Sequence, residues 1–159
     1  MPVEIEKKFL LKSDEWRNLG SPVLYQQGYL LINKSKTIRI RKVGTIGYLT
    51  IKSTIKGISR LEFEYKIPIK DANILLQELC QKPTLRKYRT KITIADLVWE
   101  VDEFLDENKG LIIAEVELKS EDQNFHIPAW VGKEVTFDPK YFNSNLVRNP
   151  FTSWKTSKY

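Results

Sequence analysis

Two glutamates and a lysine alternate with other residues near the start of the chain. Glu4, Glu6 and Lys8 follow one another at intervals of two. In a β-strand, residues at this spacing point to the same side, with Cα atoms roughly 6.5 Å apart. Two carboxylates that close can converge on one hard divalent cation, and the lysine adds a positive charge beside them. The segment therefore predicts either a site for a metal-bound anion or a charged strand face in solvent.

Doublets of one charge sign recur at alternate positions along the chain. They are Glu4/Glu6, Arg39/Arg41, Glu62/Glu64, Lys87/Arg89, Glu100/Asp102 and Glu115/Glu117, with Lys8 and Lys52 beside them. A solvated sheet face would more often mix both signs with uncharged polar residues. The opposite faces of the same segments are apolar, so they must be buried against helices or the C-terminal segment.

Alternating apolar residues predict about eight strands, mostly joined as an antiparallel meander. The strands are expected at residues 3–11, 24–33, 36–43, 48–53, 60–67, 85–94, 97–104 and 111–119. The segment 71–81 has the apolar stripe typical of a helix. Short helices are expected within 128–132 and 139–146, and the tail after Pro150 is expected to be a solvated loop.

Closing these strands on themselves with the charged faces inward gives an eight-stranded antiparallel barrel with a charged lumen. The fold class is α+β, mainly β, with helices packed outside, in one domain over residues 1–159. An eight-stranded barrel is just wide enough to be filled by side chains or to hold one small ligand. Because an unpaired buried charge costs several kcal/mol, such a lumen needs internal pairing, water or a highly charged ligand.

A phosphate chain with a divalent metal would satisfy both signs of charge. The carboxylates suit Mg²⁺ or Mn²⁺. Arginines bind phosphate through a planar fork, and lysines act as point charges. The candidates are Arg39, Arg41 and Arg89 as forks and Lys8, Lys52 and Lys87 as point charges. The chain has no glycine-rich phosphate loop, so phosphate chemistry of that kind is excluded.

Composition narrows the class of partner and the compartment. The 26 basic and 20 acidic residues give a net charge of +6, a mild bias towards anions that does not imply nucleic-acid binding. The single cysteine, Cys80, excludes an internal disulfide and a cysteine metal cluster. We see no signal peptide and no apolar run long enough to span a bilayer. A cytoplasmic protein without a membrane partner is therefore expected.

The ordered set of doublets resembles the CYTH superfamily, the triphosphate tunnel metalloenzymes. The resemblance rests on E-x-E-x-K at 4–8, R-x-R at 39–41, Lys52, E-x-E at 62–64, K-x-R at 87–89, E-x-D at 100–102 and E-x-E at 115–117. It covers residues 3 to about 119, and the segment D-P-K-Y-F-N-S-N-L is similar to the family's C-terminal helix region. The family implies an eight-stranded antiparallel tunnel that binds triphosphates with Mg²⁺ or Mn²⁺.

The resemblance also implies a role for each charged residue. Metal ligands would be Glu4, Glu6 and one or both of Glu115 and Glu117. Phosphates would be held by Lys8, Arg39, Arg41, Lys52, Lys87 and Arg89, with Glu6, Lys8, Arg39 and Lys52 as the catalytic candidates. The acidic residues Glu62, Glu64, Glu100 and Asp102 would orient the basic residues or hold a second metal. The implied reaction is metal-dependent hydrolysis of inorganic triphosphate to pyrophosphate and phosphate.

Other reactions on the same site stay open at this point. The site could serve adenylate cyclisation, or hydrolysis of thiamine, nucleoside or RNA 5′-triphosphates. A different class of function is a non-catalytic binder of polyphosphate or nucleotides, which metal-dependent turnover would distinguish from an enzyme. The expected partner is a small-molecule triphosphate, and assembly into a homodimer is an open alternative to a monomer.

Overall fold

Eight antiparallel strands close into a barrel in the computed structural model, which describes residues 2–154. They are β1 (Val3–Leu11), β2 (Pro22–Ile32), β3 (Lys36–Val43), β4 (Ile46–Ser53), β5 (Ser59–Ile67), β6 (Leu85–Ile94), β7 (Leu97–Phe104) and β8 (Ile112–Glu117). Their order is β5-β4-β3-β2-β6-β7-β8-β1, and pairing of β1 with β5 closes the ring. The predicted barrel is confirmed. Lys155 and Lys158, in the predicted tail, lie outside the described residues.

The seam that closes the barrel is short. Strands β1 and β5 pair only from Val3↔Leu61 to Ile5↔Ser59, with Glu4 opposite Arg60. On its other edge, β1 pairs with β8 from Glu6 to Phe9. The acidic start of β1 therefore lies between β5 and β8, where the carboxylates of three strands meet.

A ninth strand, β9 (Val131–Glu134), lies where a helix was predicted within residues 128–132, so that prediction is wrong. Phe9 pairs with Glu134 and Leu11 with Val131, on the edge of β1 that β5 has left. Backbone N–H and C=O groups on such an edge need partners, and β9 supplies them. The pairing partners lie at least 120 residues away, which local sequence patterns do not reveal.

An aromatic core covers part of the outer face of the barrel. Trp99 of β7 is fully buried, with its ring centroid 5.6 Å from that of Phe9 and 5.8 Å from that of Trp130. The ring centroid of Phe125 lies 6.1 Å from that of Trp99. The apolar faces of β1, β7 and β8 are thus buried against the C-terminal segment, as the alternation predicts.

Helix α1 (Ile69–Ile74) continues as a π-helical turn, Leu75–Leu79, and packs outside β3 and β4. The helix predicted at 71–81 is present at this position. Its small residue Ala72 is fully buried against the sheet. At Gly47 of β4, an added Cβ would lie 2.7 Å from the Cβ of Ala72, so only glycine permits this approach.

We expect Gly47→Ala to lower the free energy of unfolding by about 1–3 kcal/mol, because the new methyl group forces α1 away from β4. The charged lumen should be little affected, since α1 lies outside the barrel. Urea denaturation of the variant beside the wild type measures the effect. An unchanged midpoint would mean that the helix shifts outward without cost.

The second helix, α2 (Asn143–Arg148), follows a 3₁₀ turn at Pro139–Tyr141 and fills one end of the barrel. Its fully buried Leu146 packs with inward-facing apolar residues at the strand ends, namely Tyr29, Leu85, Phe104, Leu111 and Ile113. The short helix predicted within 139–146 is present but begins and ends later. The lumen is therefore apolar at this end and charged in the rest. No helix within residues 2–154 is long and apolar enough to cross a membrane.

Candidate active site

One cavity of about 170 Å³ inside the barrel brings together all but one of the predicted site residues. Its lining includes Glu4, Glu6, Lys8, Arg39, Arg41, Lys52, Glu62, Glu64, Lys87, Arg89, Glu100, Glu115 and Glu117. The exception is Asp102, which is fully buried behind the basic residues of β6 and is not part of the cavity wall. Alternation along the strands was sufficient to predict which side chains face inward.

Among the cavity residues that the sequence did not predict, Arg60 and Asn143 contact predicted site residues. Arg60 lies two residues before Glu62 on β5, so the same alternation was an available signal for it. Asn143 comes from the first turn of α2, and its Oδ1 accepts hydrogen bonds from Lys87 Nζ at 2.8 Å and Gln27 Nε2 at 3.2 Å. Nothing in the local sequence of Asn143 places it in the lumen, because its position depends on where α2 packs.

Lys8 lies between two carboxylates from neighbouring strands. Its Nζ is 3.3 Å from Glu6 Oε1 and 3.2 Å from Glu115 Oε1. Lys8 thus brings the two carboxyl groups of Glu6 and Glu115 together on one ammonium group. Burial and the charge of Glu115 raise the pKa of Glu6 to about 7. Burial disfavours the charge of Glu115 as well, but Lys8 and Arg89 hold its pKa well below its usual range.

Glu4 is held by basic residues instead. Arg60 Nε donates to Glu4 Oε1 at 3.1 Å, and Lys52 Nζ lies 3.3 Å from both carboxylate oxygens. Although burial disfavours its charge, Lys52 and Arg60 lower the pKa of Glu4 to about 2. Lys52 also contacts Glu62 at 3.0 Å. Of the two glutamates on β1, Glu4 is thus fully ionised near neutral pH, while Glu6 is close to its titration point.

Asp102 orients two basic side chains. Its Oδ1 and Oδ2 accept hydrogen bonds from Arg89 Nε and NH2 at 2.8 and 2.9 Å, and Lys87 Nζ lies 2.7 Å from Oδ2. Burial opposes the charge of Asp102, but Arg89 and Lys87 outweigh it and lower the pKa of the carboxyl group. Both oxygens are thus engaged by cations behind the cavity wall, which fits an orienting residue rather than a ligand for a second metal.

Two arginines of β3 face the cavity with donors left over. Arg41 Nε donates to Gln27 Oε1 at 3.0 Å, and no carboxylate of the described residues forms a salt bridge with Arg41. Burial and the cations Arg39 and Arg89 lower its pKa to about 9. Arg39 NH2 contacts Glu64 at 3.4 Å, but its buried Nε has no hydrogen-bond partner within residues 2–154. A phosphate oxygen would complement both groups.

A divalent metal fits these residues when water or phosphate supplies further ligands. In the part of the chain that the structure describes, no three carboxylate, imidazole or thiol groups form a complete ligand set. Mg²⁺ is usually bound by one or two carboxylates together with substrate phosphates and water. Burial and the nearby charge of Glu115 raise the pKa of Glu6, and a divalent cation would relieve this repulsion, so the two carboxylates suit Mg²⁺ or Mn²⁺.

The raised pKa of Glu6 predicts a pH-dependent stability in the absence of metal. Between pH 4.5 and about 7 the folded protein binds a proton at Glu6 that the unfolded chain has released. This contribution to the free energy of unfolding is complete below pH 4.5 and is lost as the pH rises through 7. Relative to Glu6→Gln, we expect the wild type to lose on the order of 3 kcal/mol over this range.

Urea denaturation of both proteins in EDTA at pH 5 and pH 8 measures that loss. The Glu6→Gln variant is the matched control because it keeps the size of the side chain and cannot titrate. A stability difference between the two proteins that does not change with pH would show that folding does not raise the pKa of Glu6.

The closed barrel and its charged lumen define a CYTH-type tunnel protein. The sequence model described as the CYTH domain matches residues 2–145, so the chain belongs to the CYTH domain family. The resemblance seen in the charged doublets is therefore confirmed.

Named relatives fall within the same family. An inorganic triphosphatase of Acetivibrio thermocellus is 52% identical over 155 residues, which cover 98% of this chain and 99% of that protein. An inorganic triphosphatase of Nitrosomonas europaea is 35% identical over 147 residues, covering 90% and 95% of the two chains. The crystal structure of an inorganic triphosphatase superposes with a TM-score of 0.65 at 32% identity, over 90% of this chain and 96% of that one.

Proposed function

We propose that this protein hydrolyses inorganic triphosphate to pyrophosphate and phosphate with the help of Mg²⁺ or Mn²⁺. One observation carries the proposal: a single cavity holds Arg41, which has no carboxylate partner among the described residues, together with two carboxylates, Glu6 and Glu115, that both contact Lys8. A phosphate chain complements the first feature and a divalent cation the second. Relatives named inorganic triphosphatase, one of them 52% identical, support the same substrate.

The charge balance of the lumen supports a metal requirement. Eight acidic and seven basic side chains are gathered there, namely Glu4, Glu6, Glu62, Glu64, Glu100, Asp102, Glu115 and Glu117 against Lys8, Arg39, Arg41, Lys52, Arg60, Lys87 and Arg89. The basic residues are therefore largely neutralised by the protein's own carboxylates. A highly charged triphosphate enters such a site favourably only with additional cations.

Binding and orientation of the substrate fall to the arginines. Arg39, Arg41 and Arg89 present guanidinium groups to the cavity, and Asp102 fixes the fork of Arg89 from behind. Tyr25 supports two of them, with its ring centroid 5.0 Å from the guanidinium of Arg41 and 4.9 Å from that of Arg89. These guanidinium groups hold the phosphate chain of the substrate and neutralise the charge that develops on the transferred phosphoryl group.

Lys8 is a hydrogen-bond donor in this scheme, not a base. Burial disfavours its charge, but Glu115 and Glu6 raise its pKa above the ordinary value, so it stays protonated. It can hold the attacking water or an oxygen of the terminal phosphate beside Glu6. The water oxygen bonds to the terminal phosphorus as the bridging P–O bond breaks, pyrophosphate leaves with the electrons of that bond, and the water releases a proton to solvent. A bound divalent cation would stabilise the negative charge that develops on the substrate during this step.

A phosphate-release assay on inorganic triphosphate, ATP and thiamine triphosphate tests the proposal. We expect the highest kcat/KM for inorganic triphosphate and none of the three to be turned over without metal. Arg86→Ala is a suitable control, because Arg86 pairs with Asp106 outside the barrel and should leave turnover unchanged. Faster turnover of ATP or thiamine triphosphate, formation of cyclic AMP, or binding without turnover would each contradict the proposal.

A further inference from the structure

Arg60 is the lumen cation that has no assigned part in the proposed reaction. It lies second in β5 and opposite Glu4 across the seam of the barrel. Its Nε donates to Glu4 Oε1 at 3.1 Å, and its NH2 lies 4.0 Å from Glu6 Oε1. The guanidinium therefore sits against both carboxylates of β1, on the wall of the main cavity.

We propose that Arg60 is a positioning residue that competes with the divalent metal for Glu4 and Glu6 and turns to the substrate phosphates when the metal binds. The inference rests on the proposed function in one respect, which is that a divalent metal binds in this cavity, with Glu4 and Glu6 among its ligands as the family resemblance implies. It goes further by giving the Arg60 side chain two alternative positions, one against Glu4 and Glu6 and one against a substrate phosphate.

Lys52 and Arg60, the two cations that contact Glu4, differ in the carboxylate partners that they keep after a metal binds. Lys52 also contacts Glu62 at 3.0 Å, so it keeps a carboxylate partner if Glu4 is taken by a metal. Among the described residues, Arg60 forms salt bridges only with Glu4 and Glu6. A metal on these glutamates removes both of its partners and adds a repelling charge beside it.

The freed guanidinium has a nearby anion to bind. Arg60 shares the inward face of β5 with Glu62 and Glu64, and its side chain lines the same cavity as Arg39 and Lys52. Turning from Glu4 to a phosphate in that cavity requires only side-chain torsions. Arginine suits both positions, because its planar fork binds carboxylate and phosphate in the same way. Metal and substrate would thus bind cooperatively through one side chain.

A rival explanation is that Arg60 serves only to fasten the short seam between β1 and β5. Under that explanation its loss would lower the melting temperature, and metal affinity would stay the same or fall as Glu4 loses its orientation. Competition predicts the opposite change in metal affinity. The two explanations are therefore separated by the binding of the metal alone, with no substrate present.

The experiment is a titration of wild type, Arg60→Gln and Arg17→Gln with Mn²⁺ in the absence of triphosphate, following free Mn²⁺ by electron paramagnetic resonance. We expect Arg60→Gln to bind Mn²⁺ about tenfold more tightly, because a repelling charge is removed. Arg17→Gln is the matched control, since Arg17 pairs with Asp14 and Glu103 on the outer surface. Glu6→Gln should weaken Mn²⁺ binding, which would show that the measured Mn²⁺ binds at Glu6. Equal or weaker Mn²⁺ binding by Arg60→Gln overturns the proposal.

The second part of the proposal is tested with substrate at saturating Mn²⁺. Arg60→Gln should raise the KM for triphosphate by about tenfold with a smaller change in kcat. Arg60→Lys keeps the charge and should lie near the wild type in Mn²⁺ affinity, which also tests the idea if Arg60→Gln fails to fold. An unchanged KM in Arg60→Gln would contradict the turn to phosphate.

Failure of this inference can be told apart from failure of the proposed function. Tighter Mn²⁺ binding by Arg60→Gln in a protein that hydrolyses no triphosphate would support competition and refute the hydrolase. Hydrolysis of triphosphate with unchanged Mn²⁺ affinity in the variant would support the hydrolase and refute the role of Arg60.

Discussion

Treatment with EDTA is expected to abolish triphosphate hydrolysis completely, and added Mg²⁺ or Mn²⁺ to restore it. The reason is the charge of the lumen, where Glu6 and Glu115 face the substrate and the basic residues are already paired with carboxylates such as Glu4 and Asp102. Without added cations, these carboxylates repel a phosphate chain. The rate of phosphate release should be lost at every substrate concentration, so the effect is not a modest rise in KM.

Replacing Mg²⁺ or Mn²⁺ by Ca²⁺ gives a further test of the metal requirement. The oxygen ligands of Ca²⁺ lie at about 2.3–2.6 Å in a flexible arrangement, whereas Mg²⁺ demands near-octahedral geometry at about 2.0–2.1 Å. A bridge between one carboxylate pair and a phosphate suits the smaller ion, so Ca²⁺ should support little turnover. Phosphate release is measured in EDTA, then with each metal in excess over the chelator. Full activity in EDTA, with metal-free substrate and buffer, would refute the proposed mechanism.

The second large effect concerns Glu6→Gln and Arg39→Ala, which should lower turnover for different reasons. Glu6→Gln keeps the size of the side chain but removes a negative charge from the proposed metal site. We expect turnover to fall on the order of a hundredfold or more, and extra metal to restore part of it. The neighbouring Lys8 and Glu115 remain in place to orient the substituted amide.

Arg39→Ala should behave differently, because the lost contact is to the substrate. Removing a charge-assisted hydrogen bond costs about 1.5–3 kcal/mol, which corresponds to about ten- to a hundredfold in kcat/KM. Its buried Nε, without a partner among the described residues, is the donor that a phosphate oxygen would satisfy. Extra metal should not restore this activity.

A metal titration of triphosphatase activity in both variants, beside their melting curves, separates the two roles. Neither change should unfold the protein, and removing one like charge from the lumen can even raise the melting temperature at the cost of activity. Rescue of Arg39→Ala by metal would show that the metal and phosphate roles are wrongly assigned. Near-normal activity in both variants would leave the charged lumen without the proposed function.

The sequence predicts which residues of the site face the inside of the barrel. Side chains alternate between the two faces of a strand, so charges at every second position must share one face. The lumen positions of Arg39, Lys52 and Glu115 follow from this local rule, and the structure places all three in one cavity. The same rule applied to β5 would have found Arg60, which shares a face with Glu62.

The partners of those residues could not be predicted in this way. Alternation says which face a side chain occupies but not which strand lies next to it or how deep the side chain is buried. Asp102 has the same parity as Glu100, yet it is fully enclosed by Arg89 and Lys87 while Glu100 lines the cavity. The contact of Lys8 with both Glu6 and Glu115 likewise depends on the pairing of β1 with β8.

Sequence alone determined the strand period, the charged inner face and the apolar outer face, because each arises from neighbours a few residues apart. Tertiary structure decided what closes and fills the barrel. The seam at Glu4 and Arg60, the strand β9 beside Phe9 and the apolar end formed by Leu146 all join segments far apart in the chain. Such contacts are selected by unpaired backbone groups and apolar surfaces that exist only once the strands have assembled.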